Sequence, residues 1–248
     1  MNLSKRLLMN VSLVPEGAKV ADIGCDHGYA AIWLTTERIA RRVIAMDINE
    51  GPLCRARKHI KDAGLEGQIE CRLSNGTEKL VPGEVDTLMI AGMGGPLMRD
   101  ILTEGEEVLA QVTTLVLQPQ SEIHVVRHFL AENGFAIQKE KICREDGKYY
   151  FALQAVRGQE SGVETPREEW QLRYGTYLVK TGDEVFRQYL KKERDTYRTI
   201  LKNLGLSNGN RERKEEIQHT IDEIEYCLAL EEKAAGGQQN SCGRQERM

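Results

Sequence analysis

Residues Lys19 to Tyr29 read Lys-Val-Ala-Asp-Ile-Gly-Cys-Asp-His-Gly-Tyr, and few folds accommodate such a segment. Val20, Ala21 and Ile23 form a short apolar run of the kind that becomes a buried strand. The run ends in Gly24-Cys25-Asp26-His27-Gly28, and Tyr29 to Ile39 continues as an apolar, helix-like stretch. Strand, glycine turn and helix together open a nucleotide-binding α/β domain. Glycines let the backbone approach a ligand closely, and the helix N-terminus presents free N–H groups. The spacing is not that of a dinucleotide fingerprint, because Asp26 and His27 stand between Gly24 and Gly28. A carboxylate at that point repels a pyrophosphate, so the expected ligand carries positive charge or at least lacks phosphate. S-adenosylmethionine, an adenosine joined to a sulfonium and an ammonium, meets that requirement. The competing reading is a plain strand-to-helix turn in which Asp26 and His27 are incidental.

The segments that follow build on this unit. A helix over residues 2–14 precedes it, with Leu3, Leu7, Leu8 and Val11 on one face and Lys5 and Arg6 opposite. A second strand, Arg42 to Asp47, ends in an acid about 20 residues after the glycine turn, where such folds place a carboxylate on ribose hydroxyls. A helix is expected from Pro52 to Ala63 and a third strand from Ile69 to Leu73. The turn after that strand, Ser74-Asn75-Gly76, lies at the same sheet edge as the glycine loop and can reach an adenine. A fourth, almost wholly apolar strand, Val85 to Ala91, leads into Gly92-Met93-Gly94-Gly95-Pro96, a second glycine-rich loop at a strand's carboxyl end. Ligands of open α/β sheets bind outside those ends, so two loops and Asp47 converge on one crevice.

Thr114 to Leu117 reads as a fifth strand and Ser121 to Asn133 as a helix capped by Ser121. Phe135 to Cys143 and Tyr149 to Val156 form a hairpin about the Glu145-Asp146-Gly147-Lys148 turn. Parallel units that finish in an antiparallel hairpin fit the methyltransferase variant of the doubly wound fold better than the dehydrogenase one. Polar residues from Gln159 to Pro166 make a linker. Beyond it, Phe186, Leu190, Tyr197, Leu201 and Leu204 recur on one helix face, and Ile217, Ile221, Ile224 and Leu228 on another. These are coiled-coil spacings, so an antiparallel helical hairpin is expected, followed by a disordered tail from Ala234.

Charge separates the two parts. The chain of 248 residues has a formal net charge of −4, which gives no global sign of a polyanion partner. Between Val185 and Lys214, however, 9 basic residues face 3 acids. Arg187, Lys191, Lys192, Arg194, Arg198 and Lys202 are the candidate nucleic-acid contacts there, against the plainer reading of a solvated helix face. The 6 cysteines show no paired spacing, so neither a zinc site nor a disulfide framework is expected, which suits a cytoplasmic protein. No apolar run approaches a membrane span.

Asp22-Ile-Gly-Cys-Asp-His-Gly28, Asp47-Ile-Asn with Gly51-Pro52-Leu53, Ser74-Asn-Gly76 and Ile90-Ala-Gly-Met-Gly-Gly95 together resemble the bacterial TrmK family. Leu172-Arg173-Tyr174-Gly175 and the helical hairpin extend the resemblance over nearly the whole chain apart from the tail. It implies a Rossmann-like class I methyltransferase sheet over residues 1–158, a helical coiled-coil domain over 159–233 that contacts tRNA, and a tail over 234–248. The implied reaction is S-adenosylmethionine-dependent methylation of N1 of adenine 22 in tRNA. The cofactor set expected on these motifs is Asp22, Gly24, Cys25 and Gly28 in the first loop, Asp47 and Ile48 after the second strand, Asn75 and Gly76 after the third, and Gly92, Met93 and Gly94 after the fourth. Asp26 is the first candidate to accept a hydrogen bond from the adenine N6 group and so steady the charge that develops on the ring. His27 would take a proton or touch phosphate, and Tyr29 would stack on a flipped base. No metal is expected. The alternatives are a methyltransferase of another RNA site or a small molecule, and a non-catalytic protein of the same fold whose helices bind protein.

Overall fold

The structure, a computed structural model, describes residues 3–158, 168–204 and 211–242. The chain divides into two compact units, Met1–Thr165 and Pro166–Met248. The expected linker, Gln159 to Pro166, lies outside the described residues.

The first unit holds seven strands: β1 (Ala18–Ile23), β2 (Ala40–Asp47), β3 (Ile69–Leu73), β4 (Thr87–Gly94), β5 (Thr114–Ser121), β6 (Phe135–Glu145) and β7 (Lys148–Arg157). Its helices are α1 (Lys5–Val11), α2 (Tyr29–Thr36), α3 (Glu50–Asp62), α4 (Gly95–Glu104), α5 (Glu106–Leu109) and α6 (Ile123–Glu132). They cover one sheet in the order β3-β2-β1-β4-β5-β7-β6. β1 to β5 pair in parallel, whereas β7 pairs antiparallel with both β5 and β6. Strand order reverses between β1 and β4, which opens a crevice at their carboxyl ends.

Parallel strands buried on both faces must be apolar on both, and these are. Ala21 and Ile23, Ile44 and Met46, Leu88 and Ile90, and Leu115 and Leu117 point to the layer of α4, α5 and α6. The alternate residues Val20, Val43, Ala45, Met89 and Val116 point to the layer of α1, α2 and α3. A buried ion pair ties α6 to the hairpin: the Arg127 guanidinium donates to Glu140 Oε1 at 2.9 Å, and both side chains are almost fully enclosed.

Some boundaries differ from the sequence expectation. The helix over 2–14 is the shorter α1, started by Ser4, whose hydroxyl accepts from the Leu7 N–H. β4 runs on to Gly94 and β5 to Ser121, because Gly94 pairs with Ser121; α6 is consequently capped at Glu122, not Ser121. Gly92 to Pro96 is therefore a strand end running straight into α4, whose first turn takes Pro96.

The second unit contains α7 (Glu169–Tyr174), α8 (Thr176–Thr181), α9 (Glu184–Asn203) and α10 (Arg211–Cys242). Sequence periodicity anticipates α9 and α10 but not the two short helices, which break at Gly175. Asp183 caps α9, accepting from Val185 and Phe186 N–H groups at 2.8 and 3.0 Å. Phe186 and Leu190 of α9 are buried, as are Ile217, Ile221 and Ile224 of α10. Arg187 pairs with Glu231 and Arg198 with Glu225, so the two helices run antiparallel. α10 continues to Cys242, past the Ala234 where disorder was expected. Residues 243–248 lie outside the described part of the chain.

Candidate active site

A cavity of about 730 Å³ opens at the carboxyl ends of β1, β2, β4 and β5. Its position follows from the strand order, and its wall is drawn from the ends of those strands, the turns after β1, β2 and β3, and residues of α1, α2 and α4. Asp22, the fifth residue of β1, lines it and is 4% exposed. Asp22 Oδ2 is buried and has no hydrogen-bond partner. Burial, and secondarily the charge of Asp47, pushes the Asp22 carboxyl up to about 7. A carboxylate on a cavity wall with an oxygen left unpaired is a receptor for a cation or a strong donor.

After Asp22 the chain turns over the end of β2. The N–H groups of Gly24 and Cys25 both donate to the Met46 carbonyl, at 2.8 and 2.9 Å. Gly24 has φ +76°, and a Cβ there would collide with the Met93 side chain from the β4 turn. The two glycine-rich segments thus meet across the crevice, as their positions after β1 and β4 require. Cys25 lines the cavity and is buried, which raises its thiol pKa and leaves it unreactive. Gly28 and Gly94, expected among the ligand contacts, are not on the cavity wall. Gly28 faces α3, where a Cβ would stand 3.1 Å from that of Ala56, and a Cβ at Gly94 would stand 3.2 Å from Ser121 Oγ.

Asp47 ends β2 with its carboxylate at the cavity. It accepts from the Asn49 N–H at 2.9 Å and from the Asp26 N–H at 3.4 Å. Two oxygens with one backbone donor each retain lone pairs for two further donors, which matches a pair of ribose hydroxyls. Ile48, Asn75 and Gly76 line the same side of the cavity, Ile48 being 60% exposed. The Asn75 side-chain amide donates to Glu78, so this turn offers backbone and apolar surface.

Asp26, His27 and Tyr29 also reach the cavity. Asp26 adopts φ 47°, and its carboxylate pairs with Arg55 of α3 at 3.2 Å and with His27 Nε2 at 3.5 Å. This puts it on the β2 side of the crevice with a cation already beside it. Tyr29 stacks on His59 at 4.9 Å between ring centroids and on His27 at 5.4 Å. Three rings therefore form one aromatic cluster, in which Tyr29 is 39% exposed.

Sequence reasoning missed the wall opposite. Leu3, Ser4, Arg6 and Leu7, at and just before α1, line the cavity together with Gln120 of β5. Glu145 at the hairpin turn fixes α1, its carboxylate accepting from the Lys5 and Arg6 N–H groups at 2.6 and 3.4 Å. Arg6 Nη1 donates to Gln118 Oε1 at 3.0 Å, and the guanidinium lies over the Tyr150 ring. The only sequence signal was that Arg6 sits on the polar face of an amphipathic helix.

In the second unit, Arg187, Lys191, Arg194, Arg198 and Lys202 recur at intervals of three and four residues, so they form one stripe along α9. Not all of it is available. Arg187 pairs with the fully buried Glu231 and with Glu184, Arg198 with Glu225, and Arg194 with its neighbour Asp195. Lys191, Lys192 and Lys202 are exposed.

A reversed-order parallel sheet ending in an inserted antiparallel hairpin, with an acid at the end of β2 and an unpaired buried acid in β1, defines an S-adenosylmethionine-dependent methyltransferase. A family model described as TrmK, tRNA (adenine(22)-N(1))-methyltransferase, matches residues 20–226. The chain belongs to that family. It is 30% identical over 226 residues to the tRNA (adenine(22)-N(1))-methyltransferase of Bacillus subtilis, covering 91% of this chain and 95% of that one. A Streptococcus pneumoniae structure solved in complex with S-adenosyl-L-methionine is similar at TM-score 0.82 and 33% identity, over 92% of this chain and 100% of that one. The TrmK structure from M. capricolum, in complex with S-adenosyl-homocysteine, is similar at TM-score 0.79 and 26% identity, over 92% of this chain and 98% of that one. Among the described residues no helix is long and apolar enough to cross a membrane.

Proposed function

We infer that this chain transfers a methyl group from S-adenosylmethionine to N1 of adenine 22 in tRNA, giving 1-methyladenosine. The observation that carries the cofactor assignment is Asp22, a carboxylate on the cavity wall whose buried Oδ2 has no hydrogen-bond partner, which suits the ammonium of the cofactor's amino-acid end. Asp47 takes the ribose hydroxyls, and Ile48, Asn75 and Gly76 border the adenine. Gly24 and Cys25 let the methionyl chain pass close to the backbone, towards Gly92 and Met93. When bound, S-adenosylmethionine supplies a methyl group activated by its positive sulfur: the N1 lone pair forms the new C–N bond while the C–S pair stays on sulfur.

The residues of the chain then have to orient the acceptor more than activate it. Ring N1 has an in-plane lone pair and no proton to lose, so placing it in line accounts for most of what is required. The segment Gly92 to Gly95 carries no side-chain acceptor of the kind needed to hold and deprotonate an exocyclic amine, which disfavours N6 chemistry. Positive charge passes to the adenine ring, and a group accepting from N6–H steadies it. Asp26 was the sequence candidate for that contact. With Arg55 beside it on the β2 side, we assign it instead to holding the first loop closed over the cofactor. His27 and Tyr29, stacked with His59, make an aromatic rim against which a base extruded from tRNA can rest. Lys191 and Lys202 on the α9 stripe, with the exposed Lys192 beside it, supply phosphate contacts, with Arg194 and Arg198 exchangeable from their surface pairs and Arg187 retained by Glu231. Such a substrate places the enzyme in the cytoplasm.

The test is mass spectrometry of nucleosides from unmodified bacterial tRNA incubated with the protein and S-adenosylmethionine. Formation of 1-methyladenosine, mapped to position 22, is expected. Measurable cofactor binding with no methylated adenosine would reject the assignment of substrate.

A further inference from the structure

The methyl-accepting base has a defined place, and one residue beside it has no role so far. Strand order sets the direction. Asp47 ends β2, on one side of β1, so the cofactor's adenosine lies over β2 and β3 and its reactive end points across β1 towards β4 and β5. The acceptor must enter there, at the turn of Gly92. Gly92 has φ +84° and no side chain; a Cβ would stand 3.3 Å from Arg6 Nη1 and 3.5 Å from Gln120 Nε2. The notch above Gly92 is thus bracketed by a guanidinium and an amide, with the cofactor loop beyond. Gln118, two residues earlier on β5, is fully buried and engaged with Arg6 and the Pro119 carbonyl. Gln120 extends past it on the same face of the strand, exposed and on the cavity wall.

The geometry points to Gln120 as the residue that reads the target adenine, through its Hoogsteen edge. This rests on the tRNA adenine-N1 reading above. A glutamine amide matches adenine with two hydrogen bonds, Oε1 accepting from N6–H and Nε2 donating to N7. That pairing leaves N1, on the opposite side of N6, uncovered for the methyl group. Asparagine or aspartate presenting to the Watson–Crick edge would instead cover N1. Guanine offers acceptors at both O6 and N7, so the same amide leaves one of its own groups unmatched, and guanine is rejected. The amide carbonyl's contact to N6–H strengthens as the ring gains charge. Arg6, its guanidinium held by Gln118 and Tyr150 and its backbone N–H by Glu145, forms the back of the notch.

The experiment compares single-turnover methylation of two ligated tRNAs, one with adenosine and one with 7-deazaadenosine at position 22, by the wild-type protein and by Gln120→Ala. Cofactor affinity is followed alongside by calorimetry. Loss of one bidentate contact is expected to slow methylation of the adenosine tRNA by roughly ten- to a hundred-fold, with cofactor affinity unchanged. The deaza substitution, which removes the N7 acceptor, slows the wild type several-fold and leaves the variant's rate where it was. Equal deaza penalties in both proteins, or a variant as fast as wild type on adenosine, would overturn the assignment while leaving the reaction intact. No 1-methyladenosine from the wild type on adenosine tRNA would overturn the reaction itself, and the assignment with it.

Discussion

Binding of S-adenosylmethionine should depend on pH through Asp22. Burial and the neighbouring Asp47 charge raise its carboxyl from an ordinary 3.8 to about 7. Being raised, the group favours its protonated form in the fold. The contribution of Asp22 to stability therefore falls as pH rises from 3.8 towards 7, where the native state holds a proton that the unfolded state has released. An ammonium bound at Asp22 needs the carboxylate, so binding expels that proton and returns the group towards the ordinary carboxylate range. Below pH 7 the dissociation constant should then rise about ten-fold per pH unit, or ~1.4 kcal/mol each, and pH 5 should be roughly a hundred-fold weaker than the plateau. Above about pH 8 affinity should fall again, as an α-amino group loses its own proton. Calorimetry at pH 6 in two buffers of different ionisation enthalpy reads the same event directly, as release of close to one proton per cofactor bound. Asp22→Asn should weaken binding at pH 7.5 and flatten the acid limb. A wild-type affinity constant from pH 5.5 to 7.5, or an acid limb unchanged in Asp22→Asn, would refute the ammonium contact.

Two further outcomes follow from the ion pairs. Arg127→Ala leaves Glu140 charged and enclosed, so the chain should lose about 3–5 kcal/mol of stability in denaturant melts; replacing both residues by leucine should recover most of it while Arg127→Leu alone should not, and equal recovery by the single variant would reduce the role of Arg127 to packing volume. Replacing Lys191, Lys192 and Lys202 together by alanine should weaken tRNA binding in gel shifts, reduce the slope of log affinity against log salt by up to about 2 to 3, and leave cofactor affinity unchanged; an unaltered salt slope would remove α9 from the tRNA interface.

What was legible in the sequence, and what was not, divides by the range of the interactions involved. The span Ile69 to Leu73 is β3 as read, and the first glycine loop and Asp47 fall where the pattern put them, because a buried parallel strand announces itself by its own apolar run and the turn that ends it. α4 was concealed by the opposite effect. Gly94, Gly95 and Pro96 read as a loop, yet Pro96 is a first-turn residue, and Met98, Ile101 and Leu102 behind it form the buried face of a helix. The wall of the cavity that matters for substrate choice had no local signature at all. Arg6 is brought there by Glu145, 139 residues away, and Gln120 acquires its neighbour only because β5 pairs with β4 beyond Ala91. The charge of α9 was legible as composition but not as availability, since Glu231 and Glu225 come from a helix whose register against α9 periodicity does not specify. The cofactor half of this site is therefore encoded in contiguous motifs, and the acceptor half in contacts between distant segments. Exchanging Arg6 or Gln120 should alter which base is methylated long before it alters which cofactor is bound.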